Sequence, residues 1–208
     1  MSEQRSAEWF AERCGRVTAS RVADVVARTK SGWGASRANY AAQLIAERLT
    51  GTAAESYQNK EMAWGTEQEP LARDAYAFHA DVDVNECGFI LHPKIAMSGA
   101  SPDGLIGDVG LVELKCPSTA THIDTLLGEP IAQKYLYQMQ WQMACTGRAW
   151  CDYVSFDPRL TEDLRIFVRR VPRDDALIAT LEKGVTLFLA EVDTKLAALR
   201  NTLPRKVA

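Results

Sequence analysis

The 208-residue sequence predicts one α/β domain with a helical N-terminal part. Residues 101–117 (SPDGLIGDVGLVELKCP) contain two strand-like runs separated by a turn at 107–110, which is typical of a β-hairpin. Residues 149–156 and 164–171 alternate as strands do, and runs with helical periodicity occupy much of the remaining chain. The pattern contains no internal repeats or obvious linkers, so these elements are expected to share one domain.

The N-terminal part is predicted to hold three helices. Each begins after a Ser or Thr that can cap it, and two are followed by a glycine that can end it. The apolar positions of the third helix have helical spacing and are predicted to be core: Tyr40, Leu44, Ile45 and Leu49. The predicted elements are Ser6–Arg13 with Ser6 as N-cap and Gly15 as stop, Ala19–Arg28 capped by Thr18, a Gly-rich loop at 29–35, a helix capped by Ser36 and running to Leu49 before Gly51, and a polar surface loop at 52–59.

The rest of the chain alternates between helices and strands. The first helix there contains Gly65 and Pro70, which predict an irregular start near Trp64 or a bend. The predicted elements are helix 61–80, strands within 82–99, the hairpin at 101–117, helices 118–127 and 132–146, strands 149–156 and 164–171, and a final amphipathic helix at about 173–203.

Composition limits the classes of protein that the chain can represent. Five cysteines, an odd number without CxxC spacing, indicate free thiols in a reducing cytoplasm and argue against a zinc site. The sequence shows no signal peptide and no apolar run of membrane-spanning length, so a cytoplasmic protein without a membrane partner is expected. The net charge is −3, yet residues 13–37 carry six basic residues and one acidic residue. This run is interpreted either as a solvated helix face or as a local site for a polyanion.

The hairpin at 101–117 carries the residues with the clearest chemistry. Side chains alternate along a strand, so Glu113 and Lys115 fall on one face and Leu114 points the other way, into a core. With Asp103 from the first strand, the hairpin brings two carboxylates and one ammonium together. Such carboxylates hold Mg²⁺ or Mn²⁺, and the lysine can position a water or stabilise developing negative charge. The alternative is a surface aspartate beside an ordinary Glu–Lys pair.

Six phrases of the sequence together resemble the phage-lambda-type exonucleases, which are alkaline exonucleases of the viral recombinase family within the PD-(D/E)xK nuclease superfamily. They follow the family's order at similar spacing and cover nearly the whole chain. The phrases are RCGRVTAS (13–20), AWGTEQEPLAR (63–73), SPDGL (101–105), ELKCP (113–117), YLYQMQ (135–140) and FDPR (156–159).

The resemblance implies a fold and a set of catalytic roles. The fold would be a restriction-endonuclease-like core, with a mixed central sheet flanked by helices, in which 61–208 form the nuclease core and 1–60 a helical part that binds the DNA end. The implied roles are Asp103 and Glu113 as metal carboxylates with the Leu114 carbonyl as a further ligand, Lys115 as catalytic lysine, Glu69 as completion of the acidic shell, and Gln138 as a residue that meets the site from the following helix.

The resemblance also implies how a DNA end is bound. Arg13 and Ser20 would bind the phosphate at the 5′ end, and Arg28 and Lys30 are further candidate DNA contacts. Gln138 and Gln140 are two apart on a helix and cannot both face the metal; the match favours Gln138. Without the resemblance, Glu69 would be an i, i+4 partner of Arg73, Arg13 one charge of a helix face, and Gln138 a surface amide.

The implied function is a processive exonuclease that degrades one strand of duplex DNA from its 5′ end with Mg²⁺, for which Mn²⁺ can substitute. The family further implies a homotrimeric ring around DNA, a single-strand annealing protein as partner, and a phage or prophage origin in a bacterial host. Two alternatives remain: an endonuclease or nickase on the same core, and a DNA-end scaffold with a degenerate site. The intact Asp103, Glu113 and Lys115 set argues against the scaffold.

Overall fold

A computed structural model describes residues 2–30, 32–54 and 60–202, and it confirms the predicted α/β class with a mixed central sheet. The helices of the described residues are α1 (Ala7–Arg13), α2 (Val22–Val26), α3 (Ala35–Thr50), α4 (Lys60–Ala80), α5 (Thr119–Leu126), α6 (Gln133–Thr146) and α7 (Asp175–Thr202). The strands are β1 (Val17–Thr18), β2 (Arg28–Thr29), β3 (Gly32–Trp33), β4 (Val84–Asn85), β5 (Ile90–Leu91), β6 (Ser98–Ala100), β7 (Gly104–Ile106), β8 (Gly110–Lys115), β9 (Trp150–Phe156) and β10 (Ile166–Pro172).

The central sheet has five strands in the order β10-β9-β8-β7-β4. Strands β8 and β9 run parallel and the other neighbours are antiparallel, so the sheet is mixed. The predicted hairpin is formed by β7 and β8, which are joined through Gly107 at a φ of 47°, a conformation that glycine adopts without steric cost. Gly110 begins β8 beneath the Trp150 ring, and a Cβ there would meet that ring at 2.2 Å.

Helices cover both faces of the sheet and fix the direction of each side chain on β8. Leu111 packs with Met139 and Met143 of α6, whereas Val112 and Leu114 pack with α4 through Ala72 and Tyr76 on the opposite face. Glu113 follows the alternation and therefore faces α6. The expectation that Leu114 points into a core is confirmed.

The N-terminal helices share a hydrophobic core with the end of the chain. Val22 of α2 and Leu44 of α3 are buried together with Trp141 of α6 and Phe188 of α7. The Tyr40 ring stacks on Phe188 with 5.7 Å between centroids. This core fixes the N-terminal part against α6, the helix that also meets the strand carrying Glu113.

The second N-terminal helix is shorter than predicted. Residues Ala19–Arg21 form a 3-10 turn, α2 ends at Val26, and Arg28 lies in β2. Thr18 makes no capping hydrogen bond with its side chain, so the predicted cap is wrong. Val25 is fully buried and Val26 packs against the same core, which accounts for the helix at these positions despite their β-branched side chains.

Three other N-terminal predictions are corrected. The predicted loop at 29–35 instead contains most of a small hairpin formed by β2 and β3. Ser36 does not cap α3, because the helix begins at Ala35 after Gly34. Leu49 is 48% exposed and lies outside the core, although the other three predicted core positions are buried. Most of the predicted loop at 52–59 lies outside the described residues.

The remaining elements match their predicted positions to within about two residues at each end. Helix α4 runs from Lys60 to Ala80 with Pro70 inside it. All five cysteines are free, as predicted. No helix in the described part of the chain has the length and apolar character needed to cross a membrane.

Candidate active site and DNA-end pocket

Strand pairing brings Asp103 and Glu113 together. Gly104 pairs with Val112 across the hairpin, so the next opposed position places Asp103 against Glu113. The Asp103 carboxylate accepts a hydrogen bond of 2.7 Å from the Leu114 backbone N–H, which holds it at the edge of β8. Burial and the neighbouring Glu113 carboxylate raise the pKa of Asp103 well above its usual range. The hairpin therefore holds two carboxylates against their mutual repulsion.

Glu113 is fully buried and is satisfied by three donors. One carboxylate oxygen accepts from the Lys115 ammonium and, at 2.6 Å, from the Gln138 amide. The other accepts from the Gln142 amide at 2.6 Å. A buried carboxylate without such donors would be strongly destabilising, so these contacts fix its position and rotamer.

Helix α6 supplies two of those donors from one face. Gln138 and Gln142 are four residues apart and therefore lie one above the other. Gln140 points elsewhere, donating to the Pro172 carbonyl and accepting from the Asp174 N–H, so the structure places Gln138 and not Gln140 at the site. Gln142 was not predicted from the sequence as a site residue, although it lies four residues after Gln138 on the predicted helix and therefore on the same face.

Lys115 lies between Glu113 and an aromatic ring. Its ammonium is 5.1 Å from the centroid of Tyr135, the first residue of the α6 phrase YLYQMQ. Burial alone would lower the pKa of Lys115, but the carboxylates of Glu113 and Asp103 outweigh burial and raise it. Lys115 is therefore an ammonium at neutral and alkaline pH and acts as a hydrogen-bond donor.

The donor set at this site suits Mg²⁺ or Mn²⁺, which bind through one or two carboxylates and retain waters. Asp103 and Glu113 supply the carboxylates. Leu114 lines the same cleft although its side chain is packed on the far side of the sheet, so it presents backbone there. Within the described residues no group of three or more His, Cys, Asp or Glu side chains is arranged to hold a metal, so the site depends on two carboxylates and backbone oxygen.

Glu69 lies beside the site but is occupied by two arginines. One of its oxygens pairs with Arg73 at 3.1 Å, and the other pairs with Arg5. Arg73 also donates to the Asp103 carbonyl oxygen at 3.3 Å. In this arrangement the pair of Glu69 and Arg73 connects α4 to the backbone of Asp103.

Two cavities meet at these residues. The larger, here called the cleft, has a volume of about 730 Å³ and is lined by Lys115 and Tyr135, among others. The smaller, here called the end pocket, has a volume of about 150 Å³. Both are lined by Ser20, Glu69, Asp103 and Gln138, so a ligand in one adjoins a ligand in the other.

The end pocket contains Arg13 and Ser20, the two residues expected at a DNA 5′ end. Arg13 donates to the Ser101 hydroxyl at 3.3 Å and stacks over Trp9 at 4.0 Å from its centroid. Burial lowers the pKa of Arg13 to about 10, and no carboxylate in the described residues pairs with it. This cation lies in a pocket lined by hydroxyl groups and also by two carboxylates, neither of which forms an ion pair with it.

Ser101 was missed from sequence, although it directly precedes the Pro-Asp pair. It accepts hydrogen bonds from Arg13 and from the Trp9 indole N–H. For Ser20, the expectation of a helix N-terminus is wrong, because this residue lies in the three-residue 3-10 turn. It contributes an exposed hydroxyl to the pocket instead.

Four of the other basic residues of the 13–37 run divide into two groups. Arg37 is buried and pairs with Glu191 at 2.7 Å, and Arg21 pairs with Asp24 at 2.6 Å, so both are structural. Arg28 and Lys30 are exposed on the β2–β3 hairpin, where Arg28 stacks on Trp33. The residues that line the two cavities do not include them.

Comparison with known structures shows that the chain is similar to a solved alkaline exonuclease. The alkaline exonuclease LHK-Exo from Laribacter hongkongensis is 53% identical over 94% of this chain and 97% of its own, with a TM-score of 0.87. The structure of LHK-Exo in complex with dAMP gives 54% identity, the same coverage and a TM-score of 0.88. A phage-related exonuclease from Haemophilus somnus 129PT shares the fold at 14% identity, with a TM-score of 0.73 over 88% of this chain and 96% of its own.

The comparison with curated proteins found no match. The YqaJ-like viral recombinase domain matches residues 8–149, a segment that contains Arg13, Asp103, Glu113, Lys115 and Gln142. The resemblance inferred from the sequence motifs is confirmed at the level of the family. The chain belongs to the YqaJ-like viral recombinase domain family.

Proposed function

We propose that the protein is a metal-dependent exonuclease that degrades one strand of duplex DNA processively from its 5′ end and leaves a 3′ single-stranded overhang. The observation that carries this proposal is the shared wall of the two cavities. Asp103 borders both the cleft that contains Lys115 and the end pocket that contains Arg13. A strand whose terminal phosphate occupies the end pocket would present its next phosphodiester to the cleft.

Each residue of the site has a defined part in this chemistry. Asp103, Glu113 and the Leu114 carbonyl would hold Mg²⁺ or Mn²⁺, with Glu69 in the outer shell. When bound, such an ion polarises a phosphoryl oxygen and lowers the pKa of water. Gln138 and Gln142 fix Glu113, and the Lys115 ammonium donates a hydrogen bond toward the negative charge that develops on the phosphoryl oxygens.

Two features of the relatives support the proposal. LHK-Exo is named an alkaline exonuclease, and the identity of this chain to it extends over nearly its whole length. That protein binds dAMP, a nucleoside monophosphate of the kind that stepwise removal of single nucleotides would release. The same product is expected here, because the end pocket adjoins the cleft at Asp103, so the bond that is cleaved would be the one next to the terminal phosphate.

The activity is tested on linear and covalently closed duplex DNA of one sequence. The proposal predicts that linear DNA is degraded with Mg²⁺ and left intact in EDTA, and that closed circles resist digestion. Cleavage of closed circles at a comparable rate would identify an endonuclease instead.

Arg13→Ala is expected to erase a preference for 5′-phosphorylated ends. The guanidinium can grip two phosphate oxygens at once and has no competing carboxylate among the described residues. Hydrogen bonds between charged groups are worth enough that the parent should prefer the phosphorylated end by roughly tenfold. The measurement is the rate on phosphorylated and dephosphorylated versions of one duplex, for parent and variant.

The control for Arg13→Ala is Arg165→Ala, which removes an exposed arginine paired only with Glu162 among the described residues. That variant should keep the parent's ratio of rates on the two ends. If Arg13→Ala also keeps the parent's ratio of rates on the two ends, Arg13 does not bind the phosphate.

We also propose, from the family alone, a homotrimeric ring that encloses DNA and a single-strand annealing protein as its partner in the cytoplasm of a bacterial host. A ring explains processivity by topology, so the rate of strand degradation should resist moderate salt. Light scattering at working concentration is expected to report three times the mass of the chain. A monomer would reject the ring, and processivity would then have to fall steeply with salt.

A further inference from the structure

The segment Ser2–Ser6, here called the N-terminal strap, crosses the end pocket before α1 begins. Gln4 anchors it by donating from one amide nitrogen to the carbonyl oxygens of Cys87 at 2.9 Å and of Pro102 at 2.8 Å. The Ser2 carbonyl lies so close to Gly88 that a Cβ there would meet it at 2.3 Å. Pro102 immediately precedes Asp103, so the strap is attached to the segment that carries the first metal carboxylate.

The backbone of the strap directs Arg5 into the pocket. Arg5 has a φ of 70°, and the other described non-glycine residue with positive φ is Asp81. This conformation is unfavourable for a residue with a β-carbon and persists where surrounding contacts hold it. Here the Gln4 anchor precedes Arg5, and Ser6 follows as the N-cap of α1, accepting from the Trp9 N–H at 3.2 Å.

Two arginines lie in the end pocket beside two hydroxyl groups and two carboxylates. Arg5 and Arg13 line this volume of about 150 Å³ with Ser20 and Ser101, and Glu69 and Asp103 line it as well. Arg5 contacts Glu69 through one terminal nitrogen. A guanidinium carries five N–H donors, so this contact leaves donors for a second acceptor. The Arg5 side chain is 45% exposed, which leaves it accessible to a ligand.

We propose that Arg5 is a specificity-determining residue that binds the terminal 5′ phosphate together with Arg13 while it remains in contact with Glu69. The inference rests on the proposed function and adds a residue that the sequence motifs did not indicate. Because Glu69 adjoins Asp103 through Arg73, Arg5 connects the occupied end pocket to the residues around the metal carboxylates. Arg5 therefore makes the binding of phosphorylated ends tighter than that of hydroxyl ends.

The test uses Arg5→Gly, because glycine adopts the same φ without strain and lacks the guanidinium. Parent and variant are compared on two duplexes that differ only in a 5′ phosphate or a 5′ hydroxyl. We expect KM for the phosphorylated end to rise by about tenfold, with the rate on the hydroxyl end unchanged. Arg5→Lys should recover part of the preference, and Arg165→Gly, which removes an arginine outside both cavities, should preserve all of it.

Binding of the same two duplexes in EDTA, followed by fluorescence anisotropy, gives a readout independent of turnover. Arg5→Gly should bind the phosphorylated end more weakly than the parent and the hydroxyl end equally well. An unchanged preference in Arg5→Gly would overturn the proposal. An equal loss on both ends, with a normal melting temperature, would also overturn it, because Arg5 would then act only through Glu69.

The rates of the parent protein on the two ends show whether the inference about Arg5 or the proposed function has failed. Digestion of both ends at one rate would overturn the role of Arg5 and leave the exonuclease intact. Digestion of neither end would reject the proposed function itself. If Arg5→Gly melts below the parent, Arg5→Lys in the binding assay provides the comparison. A reduced preference for the phosphorylated end supports the proposal, and full parental preference overturns it, because the proposal rests on the donors of the guanidinium.

Discussion

Asp103→Asn is expected to reduce Mg²⁺-dependent cleavage by at least about a hundredfold, since replacing even an outer partner of a metal ligand costs roughly 10- to 100-fold. The asparagine oxygen can still accept the hydrogen bond from Leu114 N–H, so the edge of β8 keeps its geometry. The substitution removes one of the two carboxylates that would bind the metal. The measurement is the single-turnover rate on a linear 5′-phosphorylated duplex.

The same substitution should leave the fold intact. It removes a buried carboxylate that Glu113 repels, so the melting temperature in EDTA should equal or exceed that of the parent. Asp108→Asn is the matched control, because Asp108 is exposed in the turn of the same hairpin. If Asp103→Asn cleaves DNA at a rate close to that of the parent, Asp103 is not a catalytic residue. Glu113→Gln is less informative, since its amide would oppose the donors that now satisfy Glu113.

Lys115→Arg is expected to lower kcat by at least about tenfold, the usual worth of a positioned proton-transfer or donor group. Arginine keeps the positive charge but replaces a compact ammonium by a planar, longer head. The space is limited because the ammonium lies between the Glu113 carboxylate and the Tyr135 ring. Single-turnover rates with saturating DNA measure the effect on kcat, and KM should change little.

Lys134→Arg provides the control for that experiment. Lys134 also lines the cleft and lies 4.8 Å from the centroid of the same Tyr135 ring, but it is exposed and makes no contact with Glu113. The rate of Lys134→Arg should remain within about twofold of the parent, as is usual for a substitution that keeps the charge at an exposed position. If Lys115→Arg were equally active, Lys115 would be only a structural partner of Glu113.

The hairpin was predictable because its signals are local. Glycines at 107 and 110 mark the turn, and the alternation of β8 assigns Glu113 and Leu114 to opposite faces. Helix α6 was likewise evident from its periodicity and its terminal Gly147, which adopts a φ of 73°. From these two elements, the meeting of Asp103, Glu113 and Lys115 follows from strand geometry. The roles of Glu69 and Gln138 required the family resemblance.

The errors arise where tertiary contacts override local signals. Helix α2 stops at Val26 instead of Arg28, and Arg28 lies in β2 of the β2–β3 hairpin. Arg37 was counted in a basic run, but its partner Glu191 is 154 residues away. The contact of Arg5 with Glu69 was not predicted either, because the strap brings Arg5 there from a segment that no motif marked. Residues so far apart in the sequence form no local pattern from which their contact can be predicted.

The central claim is that the end pocket and the cleft together act on a 5′-terminal nucleotide. The most direct measurement labels one duplex at its 5′ ends in one sample and its 3′ ends in another, and follows products with Mg²⁺ over time. The account predicts immediate release of 5′ label as a mononucleotide, with the 3′ label retained in long strands. Early release of the 3′ label, or 5′ label appearing first in long fragments, would contradict it.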